Sequence, residues 1–296
     1  VLTRLESLPP PLLVLAGIVS VQFGGALAAT LVPHIGAGGS VLLRLTFATA
    51  ILCGMVRPRW RGHSRRAWLT VGGFGLALGL MNWTFYGSLA HLPIGVAVTI
   101  EFIGPLLLAA VLSRRVIDFA AVAGAALGVV LISQVLHVPL AELSLTGIAL
   151  ALAAGACWAA YIVLSGRTGK EFPHLEGLAL AMAVATLVSL PLGIASVPTW
   201  DLAAISKGLG IAVLSSVLPY SLELIALRRM TAAVFGILLS LEPAVAALAG
   251  LVVLGQRLGW VQLAGMGLVV AASALIMGTS NRPPEDVPSD LTETGG

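Results

Sequence analysis

Charge is what this sequence has least of. Asp, Glu, Lys and Arg make up 10% of its 296 residues, against roughly 25% in an ordinary soluble domain. Hydrophobic residues make up 58%, and mean hydropathy is +1.03. Too few polar side chains remain to cover a water-soluble surface, so a soluble fold is excluded. Cysteine is nearly absent. Cys53 and Cys157 both fall in apolar runs, which leaves no disulfide framework and no metal site. Enzyme signatures are missing as well: there is no HExxH, no GxSxG, no phosphate-binding glycine loop and no Cys/His cluster. The chain reads as a non-enzyme with no cofactor. Its five histidines, at 34, 63, 91, 137 and 174, lie scattered in or beside loops.

What the chain does have is apolar stretches long enough to cross a bilayer, about 20 residues each. Ten are predicted, at 12–32, 39–56, 68–89, 94–112, 117–136, 146–165, 175–196, 206–227, 232–254 and 259–278. They lack the period-2 alternation of barrel strands. The fold class is therefore all-α integral membrane. The first span follows Arg4 and ends near "ALAAT", a pattern like that of a signal peptide. It is long enough to cross and more spans follow at once, so it reads as a retained helix.

The charges set the orientation. With a cytoplasmic N-terminus, the inside segments hold Arg4; Arg57, Arg59, Arg61, Arg65 and Arg66; Arg114 and Arg115; Arg167 and Lys170; Arg228 and Arg229; and Arg282. That is 13 of the 16 basic residues; Lys207 and Arg257 fall outside and Arg44 lies within a span. This bias obeys the positive-inside rule and puts both termini in the cytoplasm. The net charge of +3 thus reports topology, and no nucleic-acid partner is expected.

Superposing Pro105 on Pro243, an offset of 138, lays "LPIGVAVTIEFIGPLLLAAVL" (92–112) over "MTAAVFGILLSLEPAVAALAG" (230–250). A three-residue insertion then brings Gly124 onto Gly265. Each half holds five spans, an odd number, so the second enters the membrane inverted. Residues 1–137 form the first repeat, 138–278 the second, and 279–296, polar and Pro-rich, a disordered cytoplasmic tail. Inverted repeats characterise secondary transporters that bind substrate near the midplane.

Three acids resist this setting: Glu101, Glu223 and Glu242. A charged side chain at the centre of a membrane helix costs about 2.5–3.5 kcal/mol on insertion scales. At about 1.5 Å per residue, Glu242 lies roughly 15 Å into its span and Glu101 roughly 10 Å from the outer end. Glu223 is about one turn from the inner end. Each of the first two stands just ahead of a proline. Pro105 frees the carbonyl of Glu101 and Pro243 that of Leu239, so both helices are expected to kink. Pro219 marks a third kink. Either hydrogen-bonded glue between helices or a site for a proton, a cation or an ammonium group explains such acids. Arg44 either snorkels outward or neutralises one of them. Asn82 and Tyr86, and Trp158 and Tyr161, share faces at helical spacing. Ordinary packing and substrate contact both explain those pairs. Gly75/Gly79 and Gly124/Gly128 predict close helix approach within the chain.

Four stretches carry a resemblance: "VSVQFGGALAATLVPHIGAGGSVLLRL" (19–45), "LGLMNWTFYGSLAHLPIGVAVTIEFIGPL" (78–106), "LTGIALALAAGACWAAYIVLSGR" (145–167) and "LSSVLPYSLELIALRRMTAAVFGILLSLEPAVAALAG" (214–250). They resemble the bacterial threonine/homoserine exporter family, of the EamA-type branch of the drug/metabolite transporter superfamily. The resemblance implies ten helices in two inverted five-helix repeats around a central cavity. It also implies export of small amino acids across the inner membrane, driven by protons. It points to Gln22, Asn82, Tyr86, Glu101, Trp158, Tyr161, Glu223 and Glu242 as cavity residues. Glu101, then Glu242, is the expected proton site, because withdrawing a carboxylate from water disfavours its charged form. The expected partners are an amino-acid substrate, protons and the lipid bilayer. The alternatives are a proton-independent exchanger or facilitator and a non-transporting assembly or signalling protein.

Overall fold

Each apolar stretch folds as a helix because hydrocarbon offers no partners for backbone N–H and C=O groups, which must then pair within the segment. The computed structural model describes residues 7–59, 61–137, 139, 143–254 and 258–280. Its helices are α1 (Pro10–Ala29), α2 (Val32–Val56), α3 (Arg65–Leu89), α4 (Ile94–Leu112) and α5 (Val116–Ile132). They continue with α6 (Leu145–Glu171), α7 (Glu176–Gly193), α8 (Leu202–Leu227), α9 and α10 (Trp260–Ser280). Helix α9 is broken at Ser240 into α9a (Ala232–Leu239) and α9b (Leu241–Leu254). Seven of the helices are long and apolar enough to span a membrane by themselves.

Sequence punctuation explains the starts. Proline opens α1 and α2, where its missing N–H costs nothing. Polar caps open four others: Ser64 accepts from Ala67 N (3.1 Å), Ser144 from Gly147 N (3.4 Å), Asp201 from Ala204 N (2.7 Å) and Thr231 from Val234 N (3.4 Å).

Several boundaries differ from the apolar runs. Helix α2 starts seven residues before 39; its first turn is set off by Gly36, whose φ of 75° suits glycine. Helix α6 runs on to Glu171 because its last, polar turn finds partners. Arg228 Nε donates to Gly169 O (2.6 Å), and its Nη2 donates to Phe172 O (3.2 Å) and His174 O. Near Pro219, α8 widens into a π-turn over Val213–Val217, since proline cannot supply the bond that a regular turn needs. Of the tail predicted from 279, Thr279 and Ser280 belong to α10; 281–296, with Arg282, lie outside the described residues, as do Arg4 and Arg257.

Close packing follows the glycines. A Cβ on Gly75 would lie 2.4 Å from Ala181 O, and one on Gly79 2.7 Å from Val188 Cβ, so α3 presses onto α7. Gly128 and Gly265 seat α5 on α10 reciprocally, each 2.8 Å from the other's carbonyl by the same measure. Gly124 has ordinary clearance. The outer surface is apolar: Val111 is 72% exposed and Val116 87%. Lipid is the solvent that such a surface fits.

Candidate functional site

The middle of the bundle holds a cavity of about 180 Å³, below the roughly 300–1,000 Å³ of drug-sized sites. The three acids that the apolar runs single out all line it. They arrive on three helices: Glu101 on α4, Glu223 on α8 and Glu242 on α9b. The cavity also draws Arg44 from α2, Asn82 and Tyr86 from α3, and Trp158 and Tyr161 from α6. Gln22 does not line it; its neighbour Val21 does. A larger cavity of about 830 Å³ lies among Arg114, Arg115 and Arg229 and contains none of the expected site residues.

The polar groups fall into two poles. At one, Asn82 Nδ2 donates to Leu78 O (2.9 Å), which aims its Oδ1 away from the helix. Arg44 Nη2 donates to that oxygen at 2.5 Å. At the other, Tyr161 O–H donates to Glu223 Oε2, also at 2.5 Å. Tyr161 is wedged between Phe74 and Tyr220, with ring centroids 5.4 and 5.7 Å away. Trp158 stands edge-on to Phe102 at 4.9 Å. Aromatic contacts therefore fix the two α6 side chains that the cavity uses.

One expectation changes. Arg44 was a candidate partner for an acid, yet among the described residues no ion pair joins it to one. Asn82 takes its place, since α3 brings an amide oxygen within reach of the guanidinium. Glu223 lines the cavity and faces Tyr161.

The freed carbonyl of Glu101 meets a neighbouring helix. It abuts Gly155 of α6, where a Cβ would come within 2.6 Å of it. A Cβ on Gly104 would come within 1.9 Å of Gly155 O. Two glycines thus let α4 and α6 meet backbone to backbone beside the acid. Along α9 the break falls at Ser240, whose Oγ donates to Ile237 O at 2.6 Å.

Residues that sequence reasoning missed include Met81, Phe85, Ser215 and Tyr220. Tyr220 was within reach, because it stands three residues before Glu223 on the same helical face. Ser215 was not, since the π-turn shifts its direction.

Comparison with known proteins now decides the family. The chain is 41% identical over 267 residues to the Threonine/homoserine exporter RhtA of Escherichia coli K12, covering 89% of this chain and 90% of that one. It belongs to the EamA-like transporter family. The sequence model of that family matches residues 145–278. Threonine/homoserine exporter RhtA of Salmonella typhimurium LT2 is 40% identical over 279 residues, 93% of this chain and 94% of its own. A solved crystal structure with 19% identity shares the fold, with a TM-score of 0.73 over 92% of this chain and 99% of that one. As an EamA-family member the chain is a multi-pass membrane transporter of a small molecule. The cavity is its candidate substrate site.

Proposed function

We propose that this EamA-family protein exports small amino acids of the threonine and homoserine type from the cytoplasm in exchange for protons. The observation that carries the reading is the convergence of three carboxyl groups and one guanidinium on a small central cavity. A zwitterion needs an acceptor for its ammonium and donors for its carboxylate, and the cavity offers both. The names of the relatives supply the substrate class. Both termini lie in the cytoplasm of a bacterial inner-membrane protein, because the basic residues gather on that side. Residues 1–137 and 138–278 act as two inverted repeats that rock around the cavity.

Glu101 carries the proton. Its carboxyl opens on the cavity and makes no hydrogen bond among the described residues, whereas Glu223 is held by Tyr161. Taking a proton from outside and releasing it inward empties or frees the acceptor for the substrate ammonium. Glu242 is the second acceptor. The test is uptake of labelled threonine into proteoliposomes under an imposed pH gradient. Wild-type protein is expected to concentrate threonine, and Glu101→Gln to lose the gradient dependence. Flux that ignores the gradient in the wild type would replace proton exchange by facilitated exchange. Absence of flux for every amino acid would overturn export.

A further inference from the structure

Among the described residues that line the cavity, Arg44 is the one cation, and it faces a wall of three acids without pairing with any of them. Asn82 occupies one donor of its Nη2. Its Nε is shut away from solvent and has no acceptor among the described residues. A guanidinium carries five N–H donors in a rigid planar fork whose geometry matches a carboxylate. Asn82 is itself pinned by Leu78 O, so the fork is held in place before any ligand arrives. Of the three acids, Glu223 is tied elsewhere, accepting from Tyr161 of α6.

The geometry points to Arg44 as the receptor for the substrate's carboxylate, with Asn82 as the residue that orients it. This rests on the export reading above and adds the direction in which the substrate lies. The carboxylate docks on the α2–α3 side of the cavity, and the ammonium faces the acids of α4, α8 and α9b. A free α-carboxylate then becomes a requirement for transport. Amines without one are excluded by the unfilled fork, and simple anions are repelled by the three acids. Arg44 thus separates amino acids from amino alcohols and esters of the same size.

The test is competition against labelled threonine in proteoliposomes of the full chain, with unlabelled threonine, threoninol and threonine methyl ester. In the wild type, threonine is expected to compete at least about tenfold better than either analogue, because a fork left unpaired rejects a ligand that cannot fill it. Arg44→Gln is expected to weaken threonine and abolish this discrimination. Arg44→Lys, which keeps the charge and loses the fork, restores part of it. Analogues that compete as well as threonine against the wild type would overturn the assignment, and that arm decides even if the variants do not assemble. Full discrimination in Arg44→Gln would overturn it too. If threonine is carried without discrimination, only this assignment falls; if no amino acid is carried, the export reading falls with it.

Discussion

Helices α4 and α9 follow the same plan to different ends. They start at related caps, Pro93 and Thr231, 138 residues apart. With that offset, Gly104 corresponds to Glu242 and Glu101 to Leu239. In α4 the glycine lies in a seam with α6 that has no room for a methyl group, and the acid one turn earlier faces the cavity. In α9 the acid stands at the glycine's position and itself lines the cavity. Helix α4 also runs unbroken through Pro105, whereas α9 breaks at Ser240, three residues before Pro243. One position aligned by that offset is therefore a closed seam in the first half and an open wall in the second. A shared backbone plan does not make the halves interchangeable, because a carboxyl group and a hydrogen atom cannot occupy equivalent seams.

The sharpest way to break this comparison is to exchange the residues. Gly104→Ala would push its Cβ into a backbone carbonyl, which cannot rotate aside. It is expected to destabilise the protein by about 1–3 kcal/mol, toward the upper end, read as a lower melting temperature in detergent. Glu242→Gly, which places the α4 residue in α9, is expected to leave melting nearly unchanged while impairing transport. Equal melting of both variants would show that the two seams are alike.

A smaller effect is expected on the far side of α6. Tyr161→Phe removes the hydroxyl that meets Glu223 and leaves a buried acceptor unpaired, at a cost of about 1–3 kcal/mol if no other donor replaces it. The protein has such a donor in reach of the same wall, Tyr220, so the lower part of that range is expected. Thermal melting of the wild type, Tyr161→Phe, Glu223→Gln and the double variant isolates the coupling.

The smallest effect lies outside both seams. Asp201 caps α8 through Ala204 N–H, with His34 at 3.4 Å. These partners, the backbone N–H first, hold its carboxyl below the usual value of 3.8. A depressed folded-state value means that the stabilisation is present above the ordinary carboxylate range and is lost as pH falls through the folded value. Asp201→Asn is thus expected to lower the melting temperature slightly at neutral pH. The difference from wild type should shrink as pH falls below about 4 and vanish only below the depressed folded value. A constant difference across that range would exclude the cap as its source.

Much of this was legible in the chain itself. Ten hydrophobic runs and sparse charge dictate a helical membrane bundle, because no other regular structure satisfies the backbone of such segments in hydrocarbon. The three acids marked themselves by their cost, and all three do line one cavity. Their company was harder to read. Asn82 was visible as a polar tip on an apolar helix, but its partner Arg44 sits on a helix 38 residues away in sequence. Gln22 looked equivalent to Asn82, yet a single residue's rotation along α1 puts Val21 on the wall instead. Helical periodicity ranks faces, and it does not say which neighbour each face meets.

Composition and hydropathy thus suffice to say that this chain crosses a membrane with ten helices, and that Glu101, Glu223 and Glu242 are the residues hydrocarbon cannot explain. Local composition controls both, since the transfer cost of each side chain depends on its own chemistry. Only the tertiary structure decided that the proline-freed carbonyl of Glu101 abuts Gly155, that Tyr161 holds Glu223, and that Arg44 faces the acids without neutralising them. Those outcomes depend on distances between helices, which are set by the packing of the whole bundle.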